Sequence, residues 1–292
     1  MLPFRFRSTK GDTLVGVLAN PSGECEPELL QIEAWARNVG VEVVSLGTSA
    51  EPRSLPAACG LVIALGGDGT ILLALQLAMT NEAAVLGVNF GNVGFLADSA
   101  SGDLAAALGR IARDEAQVQE RIALAVTVQA ASPRRMTAFN DVVVARVPGF
   151  GTARLRIDID EQAMLALAGD GVVIASPTGS TAYTLGAGGP AVAPTLDAIV
   201  VTPLASQGSP LRSLVVDGTD AVRVTREPSS APLSVEVDGR RTVEVPAFAS
   251  LEVRPALCKA RLLRTRPHTF YADLAEGLDR SNALSQATPL DA

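Results

Sequence analysis

Gly60-Leu61-Val62-Ile63-Ala64-Leu65-Gly66-Gly67-Asp68-Gly69-Thr70 is the stretch from which the fold of this 292-residue chain is read. Its first half is a short apolar run, suited to a strand covered on both faces. Its second half is glycine-rich, and Ile71–Met79 beyond it has helical length and composition. A buried strand turning through glycines into a helix is one half of a βαβ unit. The flanking sequence repeats the alternation. Thr13–Ala19 is apolar and β-branched, and Pro21–Gly23 breaks it. Glu26–Val39 is an amphipathic helix with Leu29, Ile32, Ala36 and Val39 roughly on one face, and Gly40 ends it. Val41–Leu46 and Ala84–Val88 read as further strands, and Gly102–Arg113 as a further helix.

The pattern changes near residue 116. Ile122–Val128, Val142–Val147, Ala153–Ile159 and Leu233–Val237 alternate with period two. Asp238-Gly239 after the last of these is a type I′ hairpin signal. One short helix is expected after Pro177. The fold expected is an α/β N-terminal domain with a parallel, Rossmann-like sheet over 1–115, and a β-rich domain over 116–270. Residues 271–292 are expected to form a C-terminal helix and tail that can pack back on the first domain. Thr269–Arg280 is read as the helical part and Ser281–Ala292 as loose.

The glycine tetrad with Asp68 also carries chemistry. Successive amides at a helix start make an anion site suited to phosphate. A carboxylate there repels phosphate unless it works as a base or through a metal, although the tetrad alone also suits an ordinary turn. A second motif runs Gly169-Asp170-Gly171-Val172-Val173-Ile174-Ala175-Ser176-Pro177-Thr178-Gly179-Ser180-Thr181-Ala182-Tyr183. Its hydroxyls outnumber what one helix cap uses, and they suit ribose and phosphate oxygens. Gly186-Ala187-Gly188-Gly189-Pro190 follows with more small residues. Two weaker signals are Asn89-Phe90-Gly91-Asn92-Val93-Gly94-Phe95-Leu96 at a strand end and Asn140-Asp141 before a strand. Ligands of open α/β sheets bind at such strand ends. Ordinary turn chemistry would also account for either.

Composition removes several classes. The 24 basic and 31 acidic residues give a net charge of -7, against a nucleic-acid or anionic-membrane binder. The lysines, Lys10 and Lys259, lie outside any P-loop or protein-kinase context. One histidine, His268, excludes multi-histidine metal sites. There is no GxGxxG fingerprint and no metal-ligand cysteine spacing. The isolated Cys25, Cys59 and Cys258 suit a reducing compartment. The opening MLPFRFRSTKGD has no apolar h-region, and no run approaches the roughly 18 apolar residues of a membrane span. A soluble, cytoplasmic protein is expected.

In order and spacing, GGDGT, NxGxxGFL, the Asn-acid pair and DG…SPTGSTAY…AGGP resemble the NAD kinase family over about residues 13–265. GGDGT alone is shared with diacylglycerol and sphingosine kinases, so SPTGSTAY with GAGGP carries most of the weight. The resemblance implies an NAD kinase-like two-domain fold. It implies Mg²⁺-dependent transfer of the γ-phosphate of ATP, with polyphosphate as a donor in some members, to the 2′-hydroxyl of the adenosine ribose of NAD. Carried over position by position, Asp68 would be the catalytic acid-base group and a candidate Mg²⁺ ligand. Gly66, Gly67, Gly69 and Thr70 would lie near donor phosphates. Asn89, Phe95, Asn140, Asp141 and Asp170 would contact the dinucleotide, with Ser176, Thr178, Thr181, Ala182 and Tyr183 lining its pocket. A homodimer or homotetramer is implied, with no nucleic-acid or membrane partner. The chain departs from the family at Leu204–Ser213, where a His-containing segment is usual, and at Gly186, where Ser is common. Those departures keep open a same-fold kinase acting on another small hydroxyl compound, a nucleoside, sugar or cyclitol.

Overall fold

The computed structural model describes residues 14–21, 25–90, 94–129, 132–207, 211–245, 249–267 and 270–286. In chain order the elements begin β1 (Leu14–Ala19), α1 (Glu26–Val39), β2 (Glu42–Thr48), β3 (Cys59–Leu65), α2 (Asp68–Met79), β4 (Ala84–Asn89), β5 (Ser99–Ala100), α3 (Leu104–Ala112) and β6 (Gln117–Arg121). Then come β7 (Leu124–Gln129), β8 (Arg134–Ala138), β9 (Asp141–Arg146), β10 (Ala153–Ile159), β11 (Gln162–Gly169), β12 (Gly171–Ala175), a 3-10 turn at Thr178–Thr181 and α4 (Tyr183–Gly186). The rest are β13 (Ala198–Leu204), β14 (Leu214–Asp217), β15 (Val222–Arg226), β16 (Leu233–Val237), β17 (Arg240–Val245), β18 (Ser250–Pro255), β19 (Ala260–Arg264) and α5 (Phe270–Gln286).

The chain divides into two units, one of Met1–Gln119 with Arg261–Ala292, the other of Glu120–Ala260. The first holds a sheet of order β2-β1-β3-β4-β19-β6, with β5 on β4. Pairings β1–β2, β1–β3, β3–β4 and β4–β19 are parallel. All seven residues of β3 are buried, as the apolar run predicts. Ile32, Trp35 and Ala36 of α1 and Leu104, Leu108 and Ile111 of α3 pack into the core built on Val15, Leu61, Ile63, Leu65 and Leu86. Pro at the start of α1 and a left-handed Gly40 (φ 77°) at its end bound the helix as read from sequence.

The second unit is a sandwich of two antiparallel sheets, β11-β10-β15-β18-β7-β8 and β14-β13-β12-β9-β16-β17. Its core interleaves Val126, Leu155, Val224 and Leu251 of one sheet with Val142, Val144, Val172, Ile174 and Val235 of the other. On β9 and β12 the alternate positions Val143, Val173 and Ala175 are buried too, with Val192. That second cover explains why β12 reads as a continuous apolar run. Asp238 (φ 48°) and Gly239 (φ 74°) both take positive φ between β16 and β17, the conformation of the expected I′ turn.

One expectation is corrected. Helix α5 continues to Gln286, past Ser281, where the loose tail was expected to begin. Residues 281–286 include Ala283 and Leu284, both good helix formers. Among the described residues no helix is long and apolar enough to cross a membrane.

Candidate active site

In the first unit the site begins where β3 stops. Gly67 is the extended N-cap of α2, and Asp68 is the first residue of the helix. Thr70 N–H donates to Gly67 O at 2.9 Å, so the amides of Gly67, Asp68 and Gly69 precede the helical ladder. Such amides, at the positive end of a helix, are a phosphate cradle. A Cβ on Gly66 would sit 2.6 Å from Thr70 Oγ1, so the turn is closed too tightly for a side chain. Thr70 is buried, and Asn89 is buried at the end of β4.

The Asp68 carboxylate is fixed from outside its own helix. Oδ2 accepts the Phe95 amide at 3.2 Å and Oδ1 the Leu96 amide at 3.4 Å. Gly94 makes that approach feasible, since a Cβ there would overlap both carboxylate oxygens. Burial raises the carboxyl above its ordinary value, opposed by the Leu96 and Phe95 amides and by Arg264. A carboxylate so placed is a stronger base than one in water. The Phe95 ring lies against α5 at Gly277, 3.4 Å from where a Cβ would stand. Gly91, Asn92 and Val93 of the NxGxxGFL motif, Gly208–Pro210 of the departing segment, and His268 lie outside the described residues.

In the second unit the hydroxyl motif folds onto the Asn-acid pair. Ser176 N–H donates to Asn140 O at 2.9 Å, Ser176 Oγ donates to Phe139 O, and Gly179 N–H donates to Ser176 Oγ at 3.2 Å. A side chain on Gly179 would overlap the Asn140 backbone. Ser176 has no exposed surface. Its hydroxyl therefore holds the turn instead of facing a ligand, which differs from the role expected from sequence. Thr181 Oγ1 likewise donates to Thr178 O, at 3.4 Å. Thr178 Oγ1 is buried with no hydrogen-bond partner among the described residues.

Asp141 opens β9 with 4% exposure. Burial, then the neighbouring Asp238 charge, push its carboxyl up to about 6, against the Tyr183 amide that favours the charged form. Asp238 matters beyond its turn. Its carboxylate accepts the amides of Phe139 (3.0 Å), Asn140 (2.7 Å) and Asp141 (3.3 Å). From sequence it reads as hairpin chemistry alone. Asp170 pairs with Arg146 Nε at 2.5 Å. Both line a pocket of ≈ 430 Å³ with Ala145, Tyr183, Gly186 and Leu204. Half-exposed Tyr183 thus belongs to this pocket while its amide faces Asp141. Ala182 links the 3-10 turn to α4.

Among the described residues no three His, Cys, Asp or Glu side chains cluster as a metal cage. Mg²⁺ uses one or two carboxylates when phosphates supply its other oxygens. The single carboxylate of Asp68 beside a phosphate cradle fits that chemistry.

The model described as the ATP-NAD kinase N-terminal domain matches residues 24–116, and that of the ATP-NAD kinase C-terminal domain matches 139–265. NAD kinase of Moorella thermoacetica is 37% identical over 225 residues, 76% of this chain and 71% of its own. NAD kinase 2 of Streptomyces avermitilis is 35% identical over 245 residues, 83% and 81% of the two chains. Among solved structures, yeast NADH kinase complexed with NADH has a TM-score of 0.77 at 20% identity, covering 97% of this chain and 91% of that one. An NAD kinase from Archaeoglobus fulgidus in complex with ATP has a TM-score of 0.71 at 20% identity, covering 90% and 98%.

Proposed function

This chain belongs to the NAD kinase family, and from that premise we propose that it moves the γ-phosphate of ATP to the 2′-hydroxyl of the adenosine ribose of NAD, giving NADP. The observation that carries the residue roles is the Asp68 carboxylate, raised by burial and held by the Phe95 and Leu96 amides at the mouth of a phosphate cradle. A ribose hydroxyl is a weak nucleophile, and phosphoryl transfer is mostly positioning and charge neutralisation. Asp68 accepts the hydroxyl proton as the new P–O bond forms and the bond to the leaving ADP oxygen breaks. The amides of Gly67 and Gly69 hold donor phosphate oxygens, with Gly66 and Thr70 closing the turn. Asp68 with phosphate oxygens would hold Mg²⁺, which supplies the charge neutralisation that a P-loop lysine gives elsewhere.

On the acceptor side, Asn140 and Asp141 take donors of the dinucleotide. Asp170 and Tyr183 bind through the pocket they line. Asn89 and Phe95 complete the contacts implied by the family. The isolated spacing of Cys25, Cys59 and Cys258 in the sequence supports a reducing, cytoplasmic setting. A homodimer or homotetramer is what the family implies, and sedimentation of the purified chain reads it.

The test is incubation with Mg²⁺, ATP and NAD, with NADP read through an NADP-specific dehydrogenase. Wild type is expected to form NADP, and Asp68→Asn to lose about 10²–10⁴-fold in turnover. ATP consumption with a nucleoside, sugar or cyclitol, and none with NAD, would overturn NAD as the acceptor. Unchanged turnover of Asp68→Asn would overturn the base.

A further inference from the structure

Asp68 is aimed by two amides of a segment, Gly94–Asp98, that is almost without secondary structure of its own. What holds that segment is Arg264, the last residue of β19, which is 1% exposed. Its Nη1 donates to Leu96 O at 3.1 Å and to Ala97 O at 2.7 Å, and its Nη2 to Phe95 O at 2.9 Å. Nε donates to Gln119 Oε1 at 3.3 Å. The next residues extend the clamp. Thr265 donates to Asp98 through its amide (2.8 Å) and its Oγ1 (2.6 Å), and Arg266 Nη2 donates to Asp98 O at 2.6 Å.

The guanidinium is received by backbone carbonyls, where a buried ion pair would use a carboxylate. One peptide plane connects it to the base. Phe95 C=O and Leu96 N–H belong to the same trans peptide unit and point to opposite sides of it. Arg264 donates to the oxygen side of that unit, and Asp68 accepts from the nitrogen side. A cation on the carbonyl polarises the peptide and strengthens its N–H as a donor, because hydrogen bonds in series reinforce one another. The second fork nitrogen fixes the following peptide through Leu96 O, so the plane cannot rotate freely.

We propose that Arg264 is a positioning residue for the reaction, setting through the Phe95–Leu96 peptide where the Asp68 carboxylate stands. The inference rests on the reading of Asp68 as the base. The side chain touches neither reacting group in this arrangement, and its effect is transmitted.

The experiment compares purified Arg264→Lys, Arg264→Gln and Thr265→Val with wild type and Asp68→Asn. Ile111→Val, a change in the core of the same unit, controls for lost stability. Melting, kcat, and KM for NAD and ATP are measured for each. Arg264→Gln is expected to lose about tenfold or more in kcat with KM within about twofold, because a small misplacement of a catalytic group is that costly. Arg264→Lys keeps the charge without the fork and is expected to fall between it and wild type. If neither Arg264 variant folds, Thr265→Val decides, with an expected kcat loss of about threefold at unchanged KM. Wild-type kcat in the folded variants, or a change that tracks melting as in Ile111→Val, overturns the proposal. Retained turnover of Asp68→Asn would instead remove the reading beneath it.

Discussion

Replacing Asp141 by Asn separates what this carboxyl does for the fold from what it does for a ligand. In the folded chain its value is about 6, against 3.8 for an unperturbed aspartate. The gap, about two pH units at about 1.36 kcal/mol each, is about 3 kcal/mol. The sign follows from linkage. A raised value means the folded state holds the proton more tightly than the unfolded state does. The stability due to that proton is complete below pH 3.8 and is lost as the pH rises through about 6. At pH 8 the wild-type chain therefore folds with a carboxylate that burial and the Asp238 charge disfavour. Asn has nearly the same shape and no charge to lose. Asp141→Asn is expected to match wild type near pH 4 and to exceed it by up to about 3 kcal/mol at pH 8. Urea unfolding followed by fluorescence or circular dichroism at half-unit pH steps measures the gap. The same variant is expected to bind NAD about tenfold or more weakly, because a charged acceptor is worth about 1.5–3 kcal/mol to a bound donor. A stability difference that is flat with pH, or a variant less stable than wild type at pH 8, would refute the argument.

Other expectations concern the groups around the two carboxylates. Gly94→Ala places a methyl on the Asp68 carboxylate. It is expected to cost about 1–3 kcal/mol in unfolding experiments and to abolish most NADP formation. Asp238→Ala leaves the Phe139, Asn140 and Asp141 amides without their acceptor. It should lose about 1–3 kcal/mol by the same unfolding measurement and raise KM for NAD. Asp170→Ala breaks an ion pair whose side chains are 33% and 49% exposed, so stability should change by less than about 1 kcal/mol. Titration calorimetry should nevertheless show weaker NAD binding, and unchanged affinity would misplace the pocket.

Local signals are the legible ones. Seven buried apolar residues running into glycines announce β3 and α2 without any partner strand being known. Pro and Gly bound α1 to the residue, and Asp238-Gly239 marks its turn. Strand β11 is not legible, because Gln162–Gly169 is mostly Ala and Leu with Gln, Met and Gly, and has no β-branching. It exists because it pairs with β10 along its length, a preference that only tertiary context supplies. The candidate site divides the same way. GGDGT and SPTGSTAY are contiguous, so Asp68, Thr178 and Tyr183 are visible as text. Arg264 lies 169 residues from the carbonyl of Phe95 that it binds. In sequence it is one arginine among others in a short strand, and its only signal is a cation standing beside the apolar pair Leu262-Leu263. Asp238 is hidden for a different reason, since its place in the turn already accounts for it.

The return of β19 to the first sheet has a consequence for synthesis. A ribosome delivers Asp68, the cradle and the Gly94–Asp98 segment early, then must translate the whole Glu120–Ala260 unit before Arg264 emerges. Until then β4 has β3 on one side but lacks β19 on the other, and the carbonyls of Phe95, Leu96 and Ala97 lack their Arg264 donor. A chain cut short within the second unit would carry Asp68 and its glycine turn without the Arg264 contacts proposed to position them. Topology thus acts as an order of assembly, in which the Arg264 contacts proposed to position Asp68 form only once the second unit has already been made.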